Sequence, residues 1–144
     1  MELSGSNRVV IAFGSNLGQK EENIKRAIDY ISLRCGKVTQ VSNLYKSSPV
    51  GFESPNEFLN GCLLLLTDLS PHTLLSELKA IELTIGRQKK QTNTYEDRCI
   101  DLDIILYENL CIYTPTLQIP HPRFQDRLFV TQPMKELSLD FFPF

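Results

Sequence analysis

Several features that would place the chain in a specialised class of protein are missing from its 144 residues. The four cysteines contain no C-x-x-C pair and two of them fall in apolar runs, which predicts buried thiols in a reducing compartment. No apolar run approaches the ~20 residues of a membrane-spanning helix, and residues 1–8 lack the apolar segment of a signal peptide. A formal net charge of −2 argues against binding nucleic acid through overall positive charge. These absences predict a cytoplasmic protein whose partners are neither nucleic acid nor membrane.

The composition that remains is that of an ordinary globular protein, with 42% hydrophobic and 22% charged residues. A chain of this length fits a single domain, residues 1–144, and can bury about 68–70% of its unfolded surface. We therefore expect it to fold without disulfide bonds and without a structural metal ion.

Two acidic residues interrupt the apolar stretch 99–107 in a pattern that predicts a half-buried strand. Successive side chains of a strand point to opposite faces, so Asp101 and Asp103 share one face and lie roughly 6.6 Å apart at Cα. The other face is expected to carry the apolar residues Ile100, Leu102, Ile104 and Leu106. Two carboxylates this close repel each other unless a cation lies between them, and Mg²⁺ accepts one or two carboxylates beside substrate phosphates. The pattern fits either a magnesium site or an ordinary strand with one face in water.

A basic segment immediately upstream favours the metal interpretation. Arg87, Lys89, Lys90 and Arg98 lie in the polar connection 87–98, between a predicted helix and the acidic strand. Long irregular connections are often lids, and mutual repulsion between the four cations predicts that this one becomes ordered only when a phosphate-bearing ligand arrives.

The rest of the chain predicts a mixture of strands and helices. Apolar runs predict strands, besides the acidic one, at 9–13, 38–45, 58–66 and 110–113. Apolar residues at helical spacing predict helices at 21–35, at 71–86 and, interrupted near Pro133, at 123–137. Because some strands are joined by helices and others by short turns, an α+β sandwich is favoured over a doubly wound sheet.

Four local features each have a structural and a functional interpretation. The turn at residues 14–18 resembles a phosphate cradle, but it lacks G-x-G-x-x-G and G-K-[ST] and fits a sharp capped turn more simply. Asn60 either bonds to a neighbouring loop or reads a ligand edge with one donor and one acceptor. Glu82, beside an apolar helical stripe, either reaches solvent or faces a site. His121 lies in a proline-bounded turn, where a structural role is more common than a catalytic one.

Four segments, taken in order, resemble one family. They are Gly14-Ser15-Asn16-Leu17-Gly18, Phe58-Leu59-Asn60, Arg98-x-x-Asp101-Leu102-Asp103 and Pro120-His121-Pro122. Their order and spacing resemble the 6-hydroxymethyl-7,8-dihydropterin pyrophosphokinases of folate synthesis, over most of the chain. The resemblance implies a ferredoxin-like α+β sandwich, a mainly antiparallel sheet with helices packed on it. It also implies transfer of pyrophosphate from ATP to the pterin hydroxymethyl group, leaving AMP.

Position by position, the resemblance implies two bound Mg²⁺ ions and ATP as co-substrate. Asp101 and Asp103 match the family's metal-binding aspartates, and the catalytic set would be completed by Arg98, Lys89 and Lys90. The positions that match ATP contacts are Glu82, Arg87, Lys89, Lys90, Arg98, His121 and Arg127. The positions that match the pterin pocket are Ser48, Val50, Phe58, Asn60, Tyr95 and Phe129. The implied partners are these two small molecules alone, and the protein is expected to be a monomer. No residue is assigned as the general base.

The chain departs from the family pattern around the basic connection. Tyr95-Glu96-Asp97 precedes Arg98 where the family usually has Trp and then Gly-Pro, and the connection is one residue longer. Pro122 stands where Tyr is common. Tyr95 can still stack on a pterin ring, with less area than a Trp.

Two other classes share parts of this pattern. Nucleotidyltransferases combine a Gly-Ser turn with D-x-D within a short span, whereas Ser15 and Asp101 are far apart in this sequence. A ferredoxin-like nucleotide-binding or regulatory module with impaired catalysis would fit the altered connection, but the presence of Arg98, Asp101, Asp103 and Asn60 weighs against it.

Overall fold

A computed structural model of the chain describes residues 7–48, 56–86 and 99–140. Its strands are β1 (Asn7–Ser15), β2 (Lys37–Val41), β3 (Tyr45–Ser47), β4 (Phe58–Thr67), β5 (Asp101–Tyr107), β6 (Ile112–Tyr113) and β7 (Gln118–Ile119). Its α-helices are α1 (Lys20–Arg34), α2 (Pro71–Gly86) and α3 (Leu128–Met134), and a short 3₁₀ turn (Phe124–Asp126) precedes the last of them. None of the helices in these ranges combines the length and the apolar character that a membrane crossing requires.

The four longest strands form an antiparallel sheet in the order β2-β4-β1-β5, and β3 extends it beside β4. One core cluster joins alternate residues of β1 (Val9, Ile11 and Phe13) to both α1 and α2, so these helices cover the same face. A second cluster joins Val10 and Ala12 to α3 on the opposite face. The strand order, with two crossover helices on one face, is the ferredoxin-like arrangement, and the expected α+β fold class is confirmed.

Helix α1 follows from its sequence pattern. Ile24, Ala27 and Ile31 form a buried stripe at helical spacing, and acidic residues occupy the first turn, where the helix dipole favours them. Gly36 follows the helix with φ +152°, and a Cβ there would lie 2.1 Å from the Leu66 carbonyl oxygen. The glycine is therefore required for the chain to pass from α1 into β2 against β4.

The prediction of one continuous strand over 38–45 is wrong in one respect: the structure has two strands here, β2 and β3. Ser42 lies between them: its N–H donates to the Cys62 carbonyl (2.9 Å), and its Oγ accepts from the Cys62 N–H (2.9 Å). A side-chain oxygen here replaces a backbone partner, so the regular ladder ends and begins again at Tyr45.

The last predicted helix breaks at a different residue from the one expected. The interruption falls at Arg127, between the 3₁₀ turn and α3, whereas Pro133 lies within α3 near its C-terminal end.

The predicted alternation along β5 holds as far as Ile104 and then fails. Ile11 pairs with Ile104, but the next residue back along β1, Val10, pairs with Leu106, so Ile105 is an additional residue in β5. Such a bulge reverses the alternation beyond it. Leu106 therefore lies in the cluster beneath α3, and its expected place on the face of Leu102 is wrong.

Candidate active site

One row of residues crosses the sheet at the end where β1 finishes. Tyr45 on β3 is opposite Asn60 on β4, Asn60 is opposite Gly14 on β1, and Gly14 is opposite Asp101 on β5. Directly opposite residues of an antiparallel sheet point to the same face, and neighbouring strands lie about 4.8 Å apart. Asn60 and Asp101 therefore share a face and are separated by about 10 Å, with only a glycine between them.

Asp103 belongs to the neighbouring row and to the same face. It is opposite Ala12, which is opposite Cys62 on β4. Ala12 and Cys62 belong to the core cluster beneath α3, and the Cys62 thiol donates to the Val130 carbonyl at 3.6 Å. Both aspartates are partly exposed and lie on the face of the sheet that α3 covers in part.

The donor set on this face fits Mg²⁺ better than a structural metal. Asp101 and Asp103 supply two carboxylates on one edge strand, spaced by one residue. Within the described ranges, no group of three or more His, Cys, Asp or Glu side chains could hold a metal ion. The remaining ligands of a cation here would come from water and from a substrate, which is how Mg²⁺ is bound in nucleotide sites.

The side chain of Asn60 is buried and its orientation is fixed by β3. Its Nδ2 donates to the Tyr45 carbonyl (3.1 Å) and to the Ser47 hydroxyl (2.8 Å). A carboxamide has two N–H hydrogens, and the protein engages both of them. We therefore expect Oδ1, rather than a donor and an acceptor together, to meet a ligand.

Gly14 leaves room for the groups on either side of it. A Cβ atom at this position would lie 2.9 Å from Asn60 Oδ1 and 3.4 Å from Phe58 Cδ1. The Phe58 ring and the Asn60 carbonyl therefore share the space above the glycine. Across this face, α3 carries Phe129, which is partly buried and has the Arg127 guanidinium 5.9 Å from its ring centre.

Glu82 reaches the acidic strand from α2. Its Oε2 accepts a hydrogen bond from the Leu102 N–H at 2.7 Å, and Leu102 lies between the two aspartates. The Glu82 side chain is 14% exposed, whereas its ion-pair partner Lys79, 3.9 Å away, is 65% exposed. The helix carboxylate thus satisfies a backbone donor on the outer edge of β5 and fixes the position of that strand.

His121 is tied to the same strand by its backbone. Its N–H donates to the Ile105 carbonyl (2.9 Å), and its Nδ1 accepts from the Arg123 N–H (3.4 Å). Burial, and secondly the positive charge of Arg127, lowers the pKa of His121 below its ordinary value of 6.5. The ring is therefore neutral near pH 7, and Nε2 is the nitrogen available to donate to a ligand.

The structure brings some of the expected site residues together and leaves others aside. Phe58, Asn60, Asp101 and Asp103 share one face of the sheet, whereas Ser48 is exposed just beyond β3. The expected residues that lie outside the described ranges are Val50, Arg87, Lys89, Lys90, Tyr95 and Arg98, and the predicted lid 87–98 lies there too. Tyr45 and Ser47, which hold Asn60, are not among the residues that the sequence predicts for the site. Their two-residue spacing along a strand could have shown that they share a face. Nothing in the sequence showed that this strand pairs with the one that carries Asn60.

The chain is similar to one family along nearly its whole length. A sequence model of the family "7,8-dihydro-6-hydroxymethylpterin-pyrophosphokinase" matches residues 10–139. A curated relative from Porphyromonas gingivalis, 2-amino-4-hydroxy-6-hydroxymethyldihydropteridine pyrophosphokinase, is 36% identical over 132 residues, covering 90% of this chain and 90% of the relative. A relative of the same name from Bacillus subtilis is 37% identical over 133 residues, covering 92% of this chain and 78% of the relative. A crystal structure of Plasmodium falciparum HPPK-DHPS has a TM-score of 0.66 over 92% of this chain and 40% of that chain; at 14% identity, it shows the shared fold alone.

Proposed function

This chain belongs to the 7,8-dihydro-6-hydroxymethylpterin-pyrophosphokinase family, and we propose that its cross-sheet row forms the two halves of that active site. The enzyme transfers pyrophosphate from ATP to 6-hydroxymethyl-7,8-dihydropterin and releases AMP. The observation that carries the assignment of residues is the shared row of Asn60, Gly14 and Asp101. It supports a pterin bound near β4 and a nucleotide bound near β5, on one face of the sheet.

The pterin half is built from an amide and aromatic rings. Asn60 Oδ1 would accept a hydrogen bond from an N–H group on the edge of the pterin, because the two Nδ2 hydrogens are engaged by β3. Phe58 and Phe129 would contact the faces of the flat ring, and such stacking needs no precise hydrogen-bond geometry. Gly14 provides the space in which the ring edge can approach Asn60.

The nucleotide half is built around the paired carboxylates. Asp101 and Asp103 would hold two Mg²⁺ ions, which neutralise the triphosphate when bound. Glu82 keeps the carboxylates in place through the Leu102 N–H, and His121 would donate from Nε2 to the nucleotide. Arg127, at the N-terminal end of α3, is the remaining described residue that we assign to ATP.

The main task of the protein in this reaction is to position the two reactants. The pterin hydroxymethyl oxygen forms a bond to the β-phosphorus, the bond from that phosphorus to the oxygen that bridges the α- and β-phosphates breaks, and AMP leaves with the electron pair. The hydroxyl proton is lost, and we assign no side chain to accept it. Alignment of the reacting groups by the two halves of the row supplies the catalytic advantage of proximity. Charge neutralisation by Arg98, Lys89 and Lys90 stays a prediction.

Three expectations from the sequence also stay predictions: a single domain over residues 1–144, a monomer, and a cytoplasmic location. The alternative of an impaired regulatory module has no support in the comparisons.

The experiment that tests the proposal is a single-turnover reaction with protein in excess over pterin and with saturating Mg-ATP. We expect AMP and pterin diphosphate to appear in equal amounts, at the same rate. Omitting the pterin and chelating the metal are the two controls, and each should abolish AMP formation. Formation of ADP in place of AMP, or no turnover by folded protein, would refute the proposed function.

A further inference from the structure

We propose that Glu136 is a positioning residue for the pterin site, because it holds the strand that orients the Asn60 carboxamide. The inference rests on the proposed role of Asn60 in binding the pterin. Glu136 lies just beyond α3 and has no position in the row itself. Its influence passes through β3, the shortest strand of the main sheet.

The carboxylate of Glu136 joins the end of α3 to the start of β3. Its Oε1 accepts a hydrogen bond from the Asn43 N–H at 2.8 Å, and its Oε2 accepts one from the Tyr45 hydroxyl. These hydrogen bonds lower the pKa of Glu136 below its ordinary value, the Tyr45 bond contributing most. The side chain is therefore ionised near pH 7 and accepts both bonds at once.

The same tyrosine continues the connection to Asn60 through its backbone. Tyr45 is opposite Asn60 in the sheet, and its carbonyl accepts from Asn60 Nδ2 at 3.1 Å. Ser47, two residues further along β3, accepts the second Nδ2 bond through its hydroxyl at 2.8 Å. The direction of Asn60 Oδ1 is thus determined by where β3 lies.

Within the described part of the chain, few other elements meet β3: it contacts β4 and α3. It contains three residues, and among residues 7–48, 56–86 and 99–140 its strand pairing is to β4 alone. A short edge strand of this kind shifts easily unless side chains hold it. Glu136 holds it from the segment that follows α3, so this carboxylate helps to set where the Tyr45 carbonyl and the Ser47 hydroxyl meet Asn60.

A neighbouring contact offers a matched control. Ser138 and Gln40 exchange two hydrogen bonds, from the Ser138 N–H to Gln40 Oε1 (2.7 Å) and from Gln40 Nε2 to the Ser138 hydroxyl (3.2 Å). This pair also joins the segment after α3 to the sheet, but it ends on β2 and has no bond to β3 or Asn60. Removing it should loosen the same segment without turning the carboxamide.

The test is calorimetric titration with 6-hydroxymethyl-7,8-dihydropterin and, separately, with a Mg²⁺ complex of a non-hydrolysable ATP analogue. We expect Glu136→Ala to weaken pterin binding roughly three- to tenfold, the scale of one hydrogen bond's net contribution, and to change nucleotide binding less than about twofold. Gln40→Ala should change neither affinity. Tyr45→Phe, which removes only the hydroxyl, should also weaken pterin binding. If Glu136→Ala does not fold, Tyr45→Phe is the decisive variant. Glu136→Gln keeps one acceptor oxygen and should restore part of the affinity.

A double-mutant cycle separates positioning from general destabilisation. In an Asn60→Ala background, Glu136→Ala should have no further effect on pterin binding, because the group that it orients is gone. An equal effect in both backgrounds, equal weakening of both ligands, or no effect in the wild-type background would overturn the inference. If Asn60→Ala itself leaves pterin affinity unchanged, the failure lies instead in the proposed role of Asn60.

Discussion

Asn60 and Asp101 stand opposite the same residue, Gly14, on the two strands that flank β1. The central strand thus contributes no side chain to the space between the amide and the carboxylate. A flat ring that reaches Asn60 and a phosphate chain that reaches Asp101 can meet above the glycine. We propose that this relationship, rather than any one residue, makes this face of the sheet the two-substrate site.

The first prediction concerns the carboxylate pair. Asp101→Asn and Asp103→Asn each remove one negative charge with almost no change of shape, so we expect the fold to persist and pyrophosphoryl transfer to fall by at least about 100-fold. AMP formation at saturating Mg²⁺ is the measurement, and circular dichroism checks the fold. Asp29→Asn, at an exposed helical ion pair with Lys25, is the control and should retain full activity. Wild-type rates in either site variant would show that the carboxylate pair does not bind the catalytic metal.

The second prediction concerns the glycine of the row. In Gly14→Ala the new methyl group would lie 2.9 Å from Asn60 Oδ1, so the flexible end of the amide must move. We expect a folded protein that binds the pterin at least several-fold more weakly and binds the nucleotide nearly normally. Gly61→Ala is the contrasting variant, because its methyl group would lie 2.5 Å from the Phe13 ring in the other core. Overpacking there should cost roughly 1–3 kcal/mol of unfolding free energy. A Gly14→Ala protein with unchanged pterin affinity would show that Asn60 needs no fixed orientation.

The third prediction concerns the contact between α2 and β5. Glu82→Ala leaves the Leu102 N–H without its carboxylate partner, which should lower the free energy of unfolding by about 1–3 kcal/mol. Urea denaturation near pH 7 measures the change. Lys79→Ala removes only the exposed end of the 3.9 Å ion pair and should cost less than about 0.5 kcal/mol. Equal effects of the two substitutions would mean that the Leu102 contact contributes nothing beyond the surface charge pair.

The fourth prediction concerns the pH dependence of stability. Burial, and secondly Arg127, lowers the pKa of His121, so the unfolded chain binds a proton at this residue more readily than the folded one. The stabilisation is complete above the unfolded pKa near 6.5 and is lost as pH falls from there towards the lower folded value. Unfolding free energies at pH 7.5 and 5.5 should therefore differ less in His121→Gln than in the wild-type protein. The same change in unfolding free energy in both proteins would contradict this account. NMR titration should also give His121 a higher pKa in an Arg127→Gln variant than in the wild type.

Local patterns predicted much of the fold. The helical spacing of Ile24, Ala27 and Ile31 identified α1, and the two-residue period placed Asp101 and Asp103 on a common face. Both patterns depend on contacts that repeat within one element, which a single sequence displays directly.

Features that depend on pairing between strands were not predicted. The additional residue Ile105 and the interruption at Ser42 arise from the register with β1 and β4, which no local pattern encodes. The engagement of both Asn60 hydrogens by β3 has the same origin, since Tyr45 and Asn60 meet only in the folded sheet. The family resemblance supplied candidate residues, but the register explains why Gly14 separates them.

The measurement that tests the central claim most directly is a comparison of two variants with two ligands. Pterin and a Mg²⁺ complex of a non-hydrolysable ATP analogue are titrated calorimetrically into the wild-type protein, Asp101→Asn and Asn60→Ala. We expect Asn60→Ala to lose about 1–3 kcal/mol of pterin binding and little nucleotide binding, because the Oδ1 acceptor is removed. Asp101→Asn should show the reverse pattern, with nucleotide binding weakened and pterin binding nearly retained. Equal weakening of both ligands by both variants would contradict a site divided between the two ends of the row.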